Sequence, residues 1–397
     1  MTLEAPEHSR PVRVVFIISG LTVGGAELML WKLLSGIDRA QFDPVVISLS
    51  EKVDPVLSQR FAAIHVQCHL LRMGSSSGAM ASFLALRAIL RRVHPDLVQG
   101  WMYYGNIAAT LAAMLRFHQA AVLWNIRGTL LREQRRLTTF LAALGGKLSF
   151  SPVRIINNSE VSALEHEQRL GYRSSKRVIL PNGFDTETFK PSTDAKAAVR
   201  ESLGLRDDSV LVGLFGRYHP MKDHANLLGA AALLRRTYPE LHYVLVGENV
   251  DAANAEVTGL IEQHRLTGHV HLLGLRTDVE RLCAAVDIAV SSSRYGEGFS
   301  NAVGEAMSCA VPCVVTDVGD SAWIVGDTGT VVPPADPRAL AKAIADLVEQ
   351  GPVGRRALGE RARQRVIENF ALGTVIRMYE ALYLDVHREF TRLRRSA

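Results

Sequence analysis

VLVGLFGRYHPMKDHANLL, residues 210–228, opens with a short apolar run ended by Gly216 and closes inside a stretch, 223–237, that fits a helix. A run with no polar alternation is what a strand buried on both faces shows, and such strands belong to parallel sheets with helices on either side. Between run and helix lies a loop carrying two cations, Arg217 and Lys222, just past the carboxyl end of the strand. The same strand, glycine loop and helix recur near the start of the chain, where residues 12–18 (VRVVFII) lead through Gly20, Gly24 and Gly25 into a helix over 26–37. Two such openings in one chain predict two α/β units.

Further strands are expected at 44–49, 63–70, 97–99, 121–125 and 154–157 in the first half. In the second half they are expected at 210–215, 243–246, 270–272, 288–291 and 312–316. Helices fit at 54–63, 223–237, 254–264, 278–285, 301–309 and 337–349, with a last helical stretch over 372–388. The alternation breaks around 178–191, where VILPNGFDTETFKP has two prolines and an Asn-Gly turn. The resulting division is a loose tail 1–11, a first domain 12–185, a linker 186–205, a second domain 206–371 and a C-terminal helix with basic tail 372–397. The fold class is therefore α/β, two Rossmann-like domains with parallel sheets, whose ligands sit outside the carboxyl ends of the strands.

Composition agrees. The 397 residues are 48% apolar and 21% charged, an ordinary globular balance that excludes disordered, collagen-like and coiled-coil classes. A net charge of +5 over this length gives no argument for nucleic acid. Four scattered cysteines, Cys68, Cys283, Cys309 and Cys313, form no C-x-x-C, which speaks for a reducing, cytoplasmic compartment, with Cys309 and Cys313 read as small buried thiols. The apolar run 14–18 is too short for a signal-peptide core, and no run approaches the ~18 residues of a membrane span.

Chemistry concentrates in three loops. Gly24 and Gly25 at a helix start let backbone N–H groups approach an anion, although a tight turn wants glycine equally. Beside Gly216, Arg217 offers a planar fork and Lys222 a mobile point charge, suited to a diphosphate; standing alone they read equally as solvated loop charges. In SSSRYGEGFSNAVGEA, residues 291–306, a glycine-flanked loop holds Glu297, and the free N–H groups of Phe299, Ser300 and Asn301 open a helix. Glu305, about one turn in, is a carboxylate among apolar neighbours that ribose hydroxyls would satisfy. Neither domain opens with G-x-G-x-x-G, which counts against a dinucleotide oxidoreductase.

EGFSNAVGE (297–305), GLTVGGAE (20–27), ILPNGFD (179–185) and FGRYHPMKDHANLL (215–228) stand together in one order, and in it the chain resembles the retaining glycosyltransferases of family 4, of the type that builds bacterial surface polysaccharides. The resemblance runs along nearly the whole length. It implies two facing Rossmann-like domains (the GT-B architecture), the first binding acceptor, the second a nucleotide-diphosphate sugar, with the last helix returning to the first domain. By the same resemblance Arg217 and Lys222 hold the diphosphate, Glu305 takes the ribose hydroxyls, Glu297 contacts the donor sugar, and Gly298 and the amides of Phe299, Ser300 and Asn301 add contacts. Gly24 and Gly25 approach the phosphates, and Arg276, in GLRTD (274–278), borders the base. Many members place an N-terminal-domain histidine beside the sugar; VLWNIRGTL (122–130) offers Asn125 and Arg127 instead, as acceptor-side contacts.

The expected activity is retaining transfer to a glycan or lipid-linked acceptor, with no cofactor and no metal, because the cations and the helix start offset the leaving charge. A nucleotide-sugar 2-epimerase and a non-catalytic nucleotide-sugar-binding protein are the alternatives. The basic apolar stretches 82–93 and 130–150, with Arg87, Arg91, Arg92, Arg132, Arg135, Arg136 and Lys147, suggest peripheral contact with an anionic membrane at the inner face. A solvated helix face accounts for them equally.

Overall fold

The computed structural model describes residues 10–22, 24–73, 79–130, 136–206 and 208–396. Most of the tail 1–11, and Arg132 and Arg135, lie outside the described residues. The chain divides into two compact units, residues 1–181 with 375–397, and residues 182–374.

In the first unit the order is β1 (Val12–Ile18), α1 (Gly25–Gly36), β2 (Phe42–Ser48), α2 (Pro55–Ala63), β3 (Gln67–Leu70), α3 (Ala79–Val93), β4 (Leu97–Trp101), α4 (Met102–Met114), β5 (Ala121–Ile126), α5 (Arg136–Leu148), β6 (Arg154–Asn157), α6 (Glu160–Leu170) and β7 (Arg177–Ile179). The strands form one parallel sheet in the order β3-β2-β1-β4-β5-β6-β7. The strand expected over 63–70 is shorter, because α2 runs to Ala63 and the chain turns at His65 with φ 52°.

In the second unit the order is α7 (Thr193–Ser202), β8 (Val210–Phe215), α8 (His224–Leu234), β9 (Leu241–Val246), α9 (Ala255–Gln263), β10 (Val270–Leu272), α10 (Val279–Ala285), β11 (Ile288–Ser291), α11 (Asn301–Ser308), β12 (Cys313–Thr316), α12 (Ser321–Val325), β13 (Gly329–Val332), α13 (Pro337–Glu349) and α14 (Gly351–Asn369). Its six parallel strands lie in the order β10-β9-β8-β11-β12-β13. Residues 186–205, read as a linker, contain α7, whose Ala195 and Val199 join this unit's core.

β8 shows why its sequence is apolar without alternation. Val210, Val212 and Leu214 enter one core and Leu211 the other, so both faces are covered. In each sheet the strand order reverses once, between β1 and β4 and between β8 and β11. The crevice at such a reversal is where α/β sheets bind ligands.

The last helix, α15 (Leu372–Arg395), is longer than expected, since the basic tail continues it by almost two turns. It returns to the first unit by burying Ile376, Tyr379 and Tyr383; the Tyr383 hydroxyl donates to Gln99 at 2.6 Å. At Gly36 an added Cβ would stand 2.4 Å from Ile376 Cδ1, so a larger residue there would displace the end of that side chain.

Candidate functional site

The reversal in the second sheet brings the ends of β8 and β11 side by side, and a hollow of about 340 Å³ opens there. Gly216, Lys222, Arg276, Glu297, Phe299, Asn301 and Glu305 all line it, so segments up to 89 positions apart in sequence meet in one place. Gly247, immediately after β9, has φ 156°, and a Cβ there would fall 2.2 Å from the Gly216 carbonyl oxygen. Only glycine lets the two strand ends approach that closely.

Lys222 closes a 3₁₀ turn, and Asp223 follows at φ 46°, its carboxylate accepting from the Asn226 N–H to open α8. The Ser292 hydroxyl lies within hydrogen-bond distance of the Lys222 and Asp223 carbonyls, 2.8 and 3.0 Å, which ties this loop to the end of β11. Lys222 Nζ donates to Glu297 Oε2 at 2.6 Å, and Ser293 Oγ donates to the same oxygen at 2.8 Å. Both ionic side chains are largely buried, 18% and 10% exposed. An ammonium has three N–H donors, so one bond to Glu297 leaves two for another acceptor.

The loop carrying Glu297 is clamped from below. Gly319, at φ 60°, approaches so near that a Cβ would stand 2.2 Å from the Glu297 carbonyl oxygen, and the Asp320 N–H donates to the Gly298 carbonyl at 2.9 Å. Phe299 spends its ring on packing against Phe184, Trp323 and Phe370, with centroids 5.4–5.9 Å away. Ser300 is the N-cap of α11, buried, and its hydroxyl makes no cap bond. Asn182, from the Pro-Asn-Gly segment, donates to Asn301 Oδ1 at 2.7 Å. The sequence reading gave no role to Asn182, Ser292, Ser293, Gly247 or Gly319. Only the Asn-Gly turn and the triple serine hinted at them.

Of the donor-side residues expected in this unit, Gly298, Ser300 and Arg217 lie outside the lining. Arg217 is exposed and outside the lining, because the loop turns its long side chain to solvent immediately after Gly216. Arg276 lines the hollow, but its fork is filled by Asp278, Nε to Oδ1 at 2.8 Å and Nη2 to Oδ2 at 2.7 Å. Two of its five N–H donors are spent this way, and the planar face stays open.

In the first unit Gly24 is the N-cap of α1 and Gly25 its first residue. The helix start is occupied by Glu27, whose carboxylate oxygen lies 2.5 Å from where a Gly24 Cβ would be; burial raises its pKa. Asn125, expected on the acceptor side, is wholly buried. Its amide donates to the Tyr379 hydroxyl at 3.0 Å, so it anchors α15 instead of facing a ligand. Arg127 Nη1 donates to the same hydroxyl at 2.9 Å, and its guanidinium lies 5.2 Å from the Trp101 ring centroid. Among the described residues no group of three or more His, Cys, Asp or Glu is placed to hold a metal ion.

Residues 23–188 match the family model for Glycosyltransferase Family 4, and residues 209–350 that for Glycosyl transferases group 1. The putative glycosyltransferase EpsD of Bacillus subtilis is 26% identical over 317 residues, covering 77% of this chain and 82% of that one. The UDP-Gal:alpha-D-GlcNAc-diphosphoundecaprenol alpha-1,3-galactosyltransferase of Escherichia coli is 22% identical over 386 residues, covering 91% and 96%. Among solved structures, Anabaena Alr3699/HepE in complex with UDP superposes with a TM-score of 0.82 at 21% identity, over 94% of this chain and 100% of that one.

Proposed function

From its membership of the family 4 glycosyltransferases of GT-B fold, which is the family this chain belongs to, we propose that it transfers a sugar from a nucleotide-diphosphate donor, with retention, to a glycan or lipid-linked acceptor. One observation carries the reading: Lys222, Glu297 and Glu305 line a single hollow at the strand-order reversal of the second unit.

Lys222 faces the leaving diphosphate with its two unspent N–H donors, and the first amides of α11 add the partial positive charge of a helix start. Glu305 accepts from the ribose hydroxyls. Glu297 Oε2 is engaged by Lys222 and Ser293, so its other oxygen accepts from a hydroxyl of the donor sugar. The bond from the anomeric carbon to the phosphate oxygen breaks, an acceptor oxygen bonds to the same face of that carbon, and the acceptor's proton passes to the departing phosphate. Lys222 stabilises the charge on that phosphate, so the step calls for neither a metal nor an enzymic nucleophile. Arg217 reaches the diphosphate only by rotating inward from its exposed position.

The supporting test is thermal denaturation against a panel of nucleotide sugars. UDP donors come first, since HepE was solved with UDP and with UDP-glucose. A ligand at 100 times its Kd adds about 2.7 kcal/mol. That gain is expected for the unsubstituted chain and is absent from E305A, while loss of donor without any acceptor would instead indicate epimerisation.

The lipid-linked acceptor is supported by the E. coli relative, whose substrate is a diphosphoundecaprenol, and by α5. That helix exposes Leu137 (56%) and Phe140 (61%) together with Arg136 and Lys147. No described helix is long and apolar enough to cross a membrane. Apolar groups flanked by cations suit the surface of an anionic bilayer. Co-sedimentation with phosphatidylglycerol vesicles at low salt is expected to fall several-fold in L137E/F140E, and equal recovery of both chains would point to a soluble acceptor.

A further inference from the structure

A second hollow, of about 590 Å³, lies in the first unit at the amino ends of β4 and β5, beside the loops that lead into them. Arg10, Arg91, Arg116, Arg394 and His94 line it, against a single carboxylate, Asp96. Asp96 is already spent: both oxygens accept from Arg10 at 2.8 Å, and Oδ2 also accepts from the Arg13 N–H. Arg394 donates to the Gln119 carbonyl at 3.3 Å, whereas the side chains of Arg91 and Arg116 form no hydrogen bond or ion pair with the described residues.

Cations commonly gather where helices end, and α3, α4 and α15 all end here. Three helix C-termini supply about −0.5 each. With Arg10 and Asp96 cancelling, the other three arginines leave a surplus of roughly +1.5 after that partial charge is subtracted. Capping does not require them all, because Arg13 already donates to the last α3 carbonyl, Val93, at 2.6 Å. The backbone adds a second observation. Both His94 (φ 48°) and Arg116 (φ 55°) hold the left-handed conformation in which glycine normally ends a helix. A side chain there costs about 1 kcal/mol or more, and at both corners the residue is one that can carry positive charge toward the same hollow.

We propose that this hollow binds a phosphate group, from a soluble diphosphate or from a phospholipid headgroup, independently of the donor hollow in the second unit. The test compares the full chain with R91E/R116E. A control chain, R39E/R236E, carries the same charge change at exposed positions outside the hollow and away from α5. Pyrophosphate is titrated by calorimetry, and phosphatidylglycerol vesicles are sedimented alongside. At least a tenfold weakening in R91E/R116E beyond the control is expected for one probe, and the probe affected identifies the source. Should charge reversal impair folding, R91Q/R116Q carries the same comparison. Equal behaviour of variant and control toward both probes overturns the site.

Discussion

K222A is expected to lower kcat by about 100-fold or more, the scale on which one donor to a developing charge acts in a closed site. The reason is geometric. Lys222 is the lysine lining the hollow, with two N–H donors unspent, while Arg217, the other cation of the loop, is exposed and outside the lining. The same substitution leaves the Glu297 carboxylate, 10% exposed, with the Ser293 hydroxyl donating but no cation beside it, and an unpaired buried charge lowers stability. Stability and turnover are therefore read separately. Denaturation of K222A shows the unpairing, and K222A/E297Q recovers that part without recovering transfer. R217A is expected to lose much less than K222A. If K222A turned over within a few-fold of the unsubstituted chain, the assignment of Lys222 to the leaving group would be wrong.

Much of this architecture is legible because both faces of each central strand are buried, so β1, β8 and β11 announce themselves as short apolar runs. The elements that escaped are those without that signature. β7 and β13 are three- and four-residue strands at sheet edges. α14 has no apolar stripe: it packs through Gly359, where a Cβ would meet the Ala310 carbonyl oxygen at 1.9 Å, and through Ala362 and Val366. Small residues in a polar segment read as surface, yet they are what lets this helix approach.

The site divides along the same line. Glu297 and Glu305 could be found because their chemistry is local, a charge in a glycine loop and a charge in an apolar helix. Asn182, Ser293 and Gly319 act through space and carry no local mark. Asn125 misled for a related reason. A polar residue near the carboxyl end of a parallel strand suggests a ligand contact, but its partner is Tyr379, 254 positions later. Position within a strand cannot show whether a returning helix has claimed the amide.

The second large effect is on stability in mild acid, and it touches both units. Burial lowers the pKa of His118, in the first unit, and of His224, in the second, from 6.5 to about 4. A histidine with a depressed native pKa binds fewer protons folded than unfolded. Its contribution is therefore lost as pH falls below 6.5 and is exhausted near 4. Across the whole window the loss is about 3 kcal/mol per histidine, and by pH 5 about 2 kcal/mol. His69 and His166 in the first unit, and His242 and His271 in the second, shift in the same direction, each mainly by burial. Burial raises Glu27 and Asp223, which work in the opposite sense as they take up protons in more acid solution. Calorimetry at pH 7 and pH 5 should then show each unit melting several degrees lower at pH 5, at about 2–4 °C per kcal/mol for units of this size. H118Q is expected to flatten the pH dependence of the first transition alone and H224Q that of the second. Because the Lys222 charge also depresses His224, K222A should flatten the second transition in part. Transitions that hold their temperature from pH 7 to pH 5 would mean that these imidazoles take up protons in the folded chain as readily as in the unfolded one.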